Sequence, residues 1–366
     1  MRLIISGGGT GGHLYPGVAV AEEIRDSSPE SRVFFIGTDR AADKRAFAGS
    51  RFESAAITCQ GLQGKSFWAR LKICVQLPLS LIQALKLIYR FKPHLVLGVG
   101  GYVTGPVLLA ARILGKPACI HEQNSVPGLA NRLIGKFVDR IFISYPASEE
   151  YFPAGKCIYT GNPVRREIAG VGTARHRKKG SGPDSGVTLG VLGGSQGAHR
   201  LNHLLVKGLA GIKEKLPSEF QVLHQTGSAD EDMVREAYRA AGIRARVSDF
   251  FEDMADFYEK VDLVVSRAGA TSLAEMSVVG IPMLLIPYPY AADDHQRKNA
   301  ESMVEGGAAR MFLEKGLTDV RLAEELLRLL TDEEERLKMA RAAEGMAKAD
   351  ALSAIVTECR KLAAGS

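Results

Sequence analysis

Unbroken aliphatic runs recur along the first half of the chain, at Leu3–Ile5, Val33–Ile36, Leu95–Val99, Ala118–Ile120, Ile141–Ser144 and Cys157–Tyr159. Between them, apolar residues return every three or four positions. This alternation predicts a parallel sheet with helices on both faces. The first run ends in Gly7-Gly8-Gly9-Thr10-Gly11-Gly12-His13, after which Pro16, Val18, Ala19, Val20 and Ile24 keep helical spacing. The stretch reads as strand, tight loop and helix.

The second half repeats the arrangement. Val187–Leu192 leads into Gly193-Gly194-Ser195-Gln196-Gly197-Ala198, and Leu201, Leu204 and Leu205 continue as a helix. His94 to Gly101, followed by Gly115-Lys116-Pro117, is echoed by Asp262 to Gly269, followed by Gly280-Ile281-Pro282. Leu95 and Pro117 lie 22 residues apart, Leu263 and Pro282 lie 19. At 366 residues the chain is long for one domain. The repeat predicts an α/β molecule of two Rossmann-like, doubly wound parallel-sheet domains facing a cleft, with ligands outside the C-terminal strand ends. Gly161-Asn162-Pro163 closes the last strand of the first half, so the expected domains are residues 1–163 and 164–340. The basic stretch from Gly170 to Gly186, including Arg175-His176-Arg177-Lys178-Lys179, reads as a solvated loop because it carries no aromatic residue. After Thr318 the pattern is helical to the end. The last amphipathic segment begins at Asp350, and residues 341–366 are expected to return to the first domain.

Composition adds three constraints. With 46% hydrophobic residues there is material for two cores, and five cysteines without a Cys-x-x-Cys pair point to free thiols in a reducing compartment. The N-terminus reaches glycine after three apolar residues, too few for a signal peptide, and no apolar run approaches the ~18 residues of a membrane span. The net charge is +6. It is unevenly spread: between Ser54 and His121 there is no acid, but there are Lys65, Arg70, Lys72, Lys86, Arg90, Lys92, Arg112 and Lys116. Such a field suits nucleic acid or an anionic lipid surface. Within it, Phe67, Trp68, Leu71, Lys72 and Ile73 begin an unusually apolar segment that runs to Phe91. Aromatic and aliphatic residues among lysines and arginines have the composition of an interfacial membrane patch, and core helices also explain part of it.

The glycine clusters carry the candidate chemistry. A glycine loop feeding a helix presents main-chain N–H groups and a positive dipole end to an anionic or polar ligand. The first loop is neither a Walker A sequence nor a clean G-x-G-x-x-G. His13 places a titratable group beside it, suited to proton transfer. His121-Glu122-Gln123-Asn124 crowds four hydrogen-bonding side chains at one strand end and favours a binding role. Arg267-Ala268-Gly269-Ala270-Thr271-Ser272-Leu273-Ala274-Glu275 is a strand-to-helix turn closed by a carboxylate. Ser272 and Glu275 have capping-box spacing, and the same carboxylate suits a ribose diol, so both readings stand. Asp230-Glu231-Asp232 has the D-x-D spacing of metal-dependent sugar transferases. It follows Gly227-Ser228 at a helix start, where acids favour the dipole, and no metal is expected.

The loops GGGTGGHLYPGVAVA, GVGGYVTGP, HEQNSVPGLAN, GNPVR, GGSQGAHRLN, RAGATSLAE and DHQRKNA, in this order, resemble those of the bacterial, MurG-type N-acetylglucosaminyltransferases that convert lipid I to lipid II. The similarity spans essentially the whole chain. It implies the GT-B fold, inverting transfer of GlcNAc from a UDP-GlcNAc donor to a lipid I acceptor, no cofactor and no nucleic-acid partner. It also implies work at the cytoplasmic face of the inner membrane, on an anionic leaflet. By motif, Thr10, Gly11, Gly12 and Asn124 would meet the donor near its reactive end, and Arg165, Ser195 and Gln196 the diphosphate and sugar. Ala270 to Glu275 would form the donor turn, with Glu275 on the ribose and Gln296 on GlcNAc hydroxyls. Phe251 stands where the family has an aliphatic residue whose backbone meets uracil. His13 would act as the base, and Tyr102, His121, Glu122 and Asn131 would line the acceptor side. A UDP-GlcNAc 2-epimerase shares the fold and donor and is the alternative reading.

Overall fold

The computed structural model describes residues 1–8, 11–39, 52–59, 67–178, 186–194 and 197–365, with the backbone alone at 11, 67–75 and 173–178. The chain divides into two compact units, Met1–Arg165 with Lys348–Ser366, and Arg166–Ala347. The first division thus falls two residues beyond Pro163. The return begins at Lys348, because the helix containing residue 341 packs within the second unit.

In the first unit, seven parallel strands lie in the order β3-β2-β1-β4-β5-β6-β7. They are β1 (Arg2–Gly7), β2 (Arg32–Gly37), β3 (Glu53–Ala56), β4 (Leu95–Gly100), β5 (Ala118–Glu122), β6 (Arg140–Ile143) and β7 (Cys157–Tyr159). The described helices are α1 (Gly11–Ser27), α2 (Phe67–Phe91), α3 (Thr104–Ile113), α4 (Leu129–Ile134) and, from the C-terminus, a helix at Ala351–Ala364. All six residues of β4 and all five of β5 are buried, which is why they read as continuous apolar runs. β3 is an edge strand of sequence ESAA with mostly exposed residues, and it left no apolar signal. The C-terminal helix lies against α1, and its Ile355, Val356 and Cys359 join Ile5, Val18, Leu97 and Phe142 in one core. The expected return of the last helix to the N-terminal domain is therefore present.

The second unit has six parallel strands, β10-β9-β8-β11-β12-β13. These are β8 (Thr188–Leu192), β9 (Gln221–Gln225), β10 (Ala245–Ser248), β11 (Leu263–Ser266), β12 (Met283–Leu285) and β13 (Ala309–Met311). Its helices are α5 (Arg166–Lys178), α6 (His199–Gly211), α7 (Glu231–Ala240), α8 (Met254–Lys260), α9 (Ala270–Val279), α10 (His295–Glu305), α11 (Asp319–Thr331) and α12 (Glu333–Met346); the C-terminal helix is α13. The basic segment expected as a loop is helical as far as Lys178, because α5 packs on α8 and α9. Leu322, Leu326, Leu329 and Leu330 of α11 are buried with Leu189, Leu205 and Val265, each such side chain contributing about 1.5–3 kcal/mol by transfer from water.

The order of strands explains the echo between the two halves. In the first sheet the winding reverses between β1 and β4, and in the second between β8 and β11. Loops after these strands diverge to opposite faces and leave a crevice at the C-terminal edge, the ordinary ligand position in doubly wound sheets. Each of the two repeated glycine motifs ends one strand at a reversal.

Candidate active site

At the first reversal, the loop after β1 lies on the loop after β4. Gly8 N–H donates to the Gly100 carbonyl at 3.3 Å, and Thr104 Oγ1 donates to the Ser6 and Gly100 carbonyls at 3.2 and 2.9 Å. Gly9 and Thr10 lie outside the described residues, Gly11 begins α1, and Gly12 is exposed at the helix start. His13 sits in the first turn and is half-buried. Its ring rests directly on Gly100, where a Cβ would lie 2.6 Å from Nδ1, and Gly100 has φ +105°. Only glycine satisfies both conditions. Gln123 Oε1 lies 3.3 Å from His13 Nδ1, and Gln123 Nε2 donates to the Val99 carbonyl at 2.7 Å.

The other expected acceptor-side residues divide. Tyr102 is 42% exposed at the same edge. His121 and Glu122 are each 1% exposed. His121 Nε2 faces the Gly161 carbonyl at 3.1 Å and Ser144 Oγ at 3.3 Å, and burial pulls its pKa down to about 4. Burial raises the Glu122 pKa against the pull of its hydrogen bonds. Its Oε1 accepts from Asn124 N at 2.9 Å and Nδ2 at 3.3 Å, and its Oε2 from Asn131 Nδ2 at 2.8 Å. Asn131 is also buried. Glu122 and Asn131 therefore shape the loop that carries Asn124, which stays half-buried. Alternation along β5 and its continuation would have put only every second side chain inside; burial of the whole sheet end overrides that. The Arg165 guanidinium stacks over the Tyr15 ring of α1 at 4.5 Å. Phe67, Trp68, Leu71, Lys72 and Ile73 belong to α2, but their side chains lie outside the described residues.

At the second reversal, the glycine loop packs on the turn after β9. A Cβ on Gly197, at φ +78°, would lie 2.3 Å from the Thr226 carbonyl oxygen. Ser195 and Gln196 fall outside the described residues. Ala198 caps α6 with no side-chain bond, so the helix presents main-chain N–H groups beside this loop. Gln225 ties the region together, donating from Nε2 to the Gly194 carbonyl at 3.3 Å and accepting from Phe251 N at 3.0 Å. The Phe251 N–H is thus spent inside the protein, which leaves its carbonyl for any backbone contact to a base.

The turn after β11 removes one ambiguity. Gly269 is the N-cap of α9, so Ser272 lies inside the helix and the capping-box reading fails. Glu275 is buried, and Tyr258 donates its hydroxyl to Glu275 Oε2 at 3.0 Å. Leu273 is fully buried in the core, Ala270 and Thr271 are buried, and Ser272 and Ala274 are half-buried. Gln296 Oε1 accepts from Ala268 N at 3.2 Å and Tyr288 N at 3.0 Å, which turns its Nε2 away as a donor. Arg267 donates to the Ile286 and Pro287 carbonyls at 3.0 and 3.3 Å and pairs with Glu314, holding that loop in place.

Asp230 is bonded to two neighbours from α6. Its Oδ1 lies 2.7 Å from His199 Nδ1, and its Oδ2 accepts from Asn202 Nδ2 at 2.8 Å. Burial raises its pKa, but the bonds from His199 and Asn202 outweigh this and the net shift is downward. Asn202 continues to His224, whose pKa burial lowers to about 3, and His224 to Tyr238. Sequence reading missed this network, along with Tyr15, Gln225 and Tyr258, because pairs so far apart in the chain leave no local pattern.

Residues 3–143 match the glycosyltransferase family 28 N-terminal domain and residues 188–355 its C-terminal domain. A UDP-N-acetylglucosamine–N-acetylmuramyl-(pentapeptide) pyrophosphoryl-undecaprenol N-acetylglucosamine transferase of Desulfotalea psychrophila is 45% identical over 99% of this chain and 96% of that protein. The crystal structure of Acinetobacter baumannii MurG superposes with a TM-score of 0.76 at 26% identity, covering 99% of this chain and all of that one (100%). A Neisseria meningitidis UDP-GlcNAc 2-epimerase reaches a TM-score of 0.67 over 99% of this chain and 100% of that one, at 16% identity, a likeness of fold alone. With the glycine loops at both sheet reversals and a relative this similar along its whole length, the chain belongs to the MurG-type N-acetylglucosaminyltransferases of glycosyltransferase family 28 and has their GT-B fold.

Proposed function

We propose that this enzyme moves GlcNAc from UDP-GlcNAc to the 4-hydroxyl of the muramyl sugar in undecaprenyl-diphosphate-MurNAc-pentapeptide, forming lipid II with inversion at the anomeric carbon. The observation that carries this reading is His13 seated on Gly100 at the first sheet reversal, in a chain whose relatives bear this activity in their names. His13 takes the proton of the 4-hydroxyl as that oxygen attacks the anomeric carbon from the face opposite UDP, while the bond from that carbon to the diphosphate breaks. Charge on the departing diphosphate meets the glycine loop, the N-terminus of α6 and Arg165, with Ser195 and Gln196 alongside. Thr10, Gly11, Gly12 and Asn124 meet the donor near its reactive end. Glu275 accepts from the ribose hydroxyls, Gln296 donates to GlcNAc, the N–H groups opening α9 face the nucleotide, and the Phe251 carbonyl meets uracil. Tyr102 serves the acceptor.

The second part of the proposal is peripheral docking at the cytoplasmic face of the inner membrane. Among the described residues no helix is long and apolar enough to cross a membrane. The acid-free window instead forms α2 and α3, which with the neighbouring α4 leave apolar side chains exposed: Leu77, Leu79 and Ile82 on α2, Leu109 and Ile113 on α3, and Leu129 and Leu133 on α4. Exposed Lys86, Arg90 and Arg112 accompany them. Phe67, Trp68, Leu71, Lys72 and Ile73, whose side chains lie outside the described residues, are assigned to docking from their sequence composition.

Incubation with UDP-GlcNAc, with and without a prenyl-diphosphate-muramyl acceptor, tests the reaction. The expected product is a GlcNAc-muramyl disaccharide formed only with acceptor. Conversion of the donor sugar to its 2-epimer without acceptor would instead establish the isomerase reading.

A further inference from the structure

Resting on the assignment of His13 as base, the geometry points to Gln123 as the positioning residue that sets its tautomer, so that Nε2 is the nitrogen that takes the acceptor's proton. The Val99 carbonyl can only accept, so the Gln123 group 2.7 Å away must be the amide NH2. This assigns the two ends of an amide that are otherwise interchangeable. Oε1 then faces His13 Nδ1 at 3.3 Å, and an amide oxygen can only accept. Nδ1 therefore carries the hydrogen, and in the neutral ring Nε2 holds the lone pair.

Three further observations support a built arrangement. Gln123 is 1% exposed, so its amide has no solvent to exchange partners with. Val99 belongs to β4, paired to β1 on one side and β5 on the other, so the anchor is the rigid middle of the sheet. Gly100, next to Val99, is the residue the His13 ring rests on, so one strand end supplies both the floor and the tether. The neighbouring polar residues are differently committed. His121 bonds Gly161 and Ser144, and Glu122 bonds Asn124 and Asn131, so neither competes for Nδ1 in these bonds. Positioned groups of this kind act through the base, as the carboxylate does in hydrolytic triads.

Tautomer and rate can be read separately. In full-length protein labelled with 15N, long-range proton–nitrogen correlations above the imidazole pKa give the protonated nitrogen of each of the eight histidines, and His13→Asn identifies the His13 signals. Wild-type His13 is expected as the Nδ1–H form. Gln123→Met removes the acceptor at similar volume; it should admit the Nε2–H form and lower kcat roughly 10–100-fold, less than full loss of a base, with donor KM unchanged. Gln123→Glu keeps an acceptor and should keep the Nδ1–H form, and its added negative charge should raise the imidazole pKa and move the acid limb of the kcat profile to higher pH. Folding of both variants is checked by the dispersion of the same spectra. An Nε2–H form in the wild type, or an unchanged tautomer in a folded Gln123→Met variant that has lost rate, would overturn the inference. A shifted tautomer with undiminished rate would overturn it too, but through its premise, by removing His13 as the base.

Discussion

Two buried side chains show how residue-level chemistry divides between function and structure. Glu275 is almost sealed from water, with one oxygen bonded to Tyr258, and a carboxylate is the group a diol donates to. Glu275→Gln should weaken donor binding by about 1–3 kcal/mol, read as a higher donor KM, with melting temperature nearly unchanged because Tyr258 can still donate to the amide oxygen. A fall in stability with KM intact would make Glu275 a structural residue. His121 is the opposite case. Its pKa drops from 6.5 to about 4 on folding because burial disfavours the charged ring. Between those values the unfolded chain binds more protons, so this residue's contribution to stability is complete above pH 6.5 and is lost as pH falls toward 4. His224 adds a like slope reaching to about 3. Denaturant unfolding of wild type and His121→Asn between pH 7 and 4 should show a shallower loss in the variant, and parallel slopes would contradict the assignment. In sequence, His121, Glu122, Gln123 and Asn124 are four polar residues at a strand end. Their chemistry was legible there, but their division into presented and buried groups depends on the distant Gly161, Asn131 and Val99 that receive them.

Membrane docking depends on how whole helices present their faces. Helices α2, α3 and α4 pack in succession on one sheet, and each would normally turn its apolar face inward. Here they also leave Ile82, Ile113, Leu129 and Leu133 more than half exposed, at 61, 57, 64 and 55%. The inward sides are satisfied by other residues, among them Ala84, Ile88, Val107, Leu108 and Ile134, so the exposed set is surplus to the core. Each basic residue near an anionic leaflet contributes roughly 1 kcal/mol. Ile82→Glu combined with Leu133→Glu should weaken binding to anionic vesicles and slow a long-chain acceptor, with melting temperature and turnover of a short-chain acceptor kept. Equal losses on both acceptors would place these side chains in folding instead. The charge asymmetry was legible from the sequence, and so was the apolar excess on α2. The contributions of α3 and α4 were hidden because inward and outward apolar residues look alike in a helical repeat.

For the molecule as a whole, the repeat of strand, glycine loop and helix sufficed to give two parallel-sheet units. It worked because strands buried on both faces must be continuously apolar. The edge strand Glu53–Ala56 and the helical end of the basic segment escaped it, being held by pairing with β2 and by packing on α8 and α9. The central claim is a single displacement in which His13 deprotonates the acceptor on one face as UDP leaves from the other. The stereochemistry of the new bond tests it most directly. NMR of the disaccharide made from α-linked UDP-GlcNAc should show a β-linked GlcNAc, formed by wild type and lost, on the order of 10²–10⁴-fold in kcat, in His13→Ala. An α-linked product, or a β-linked one made at full rate without His13, would contradict the account.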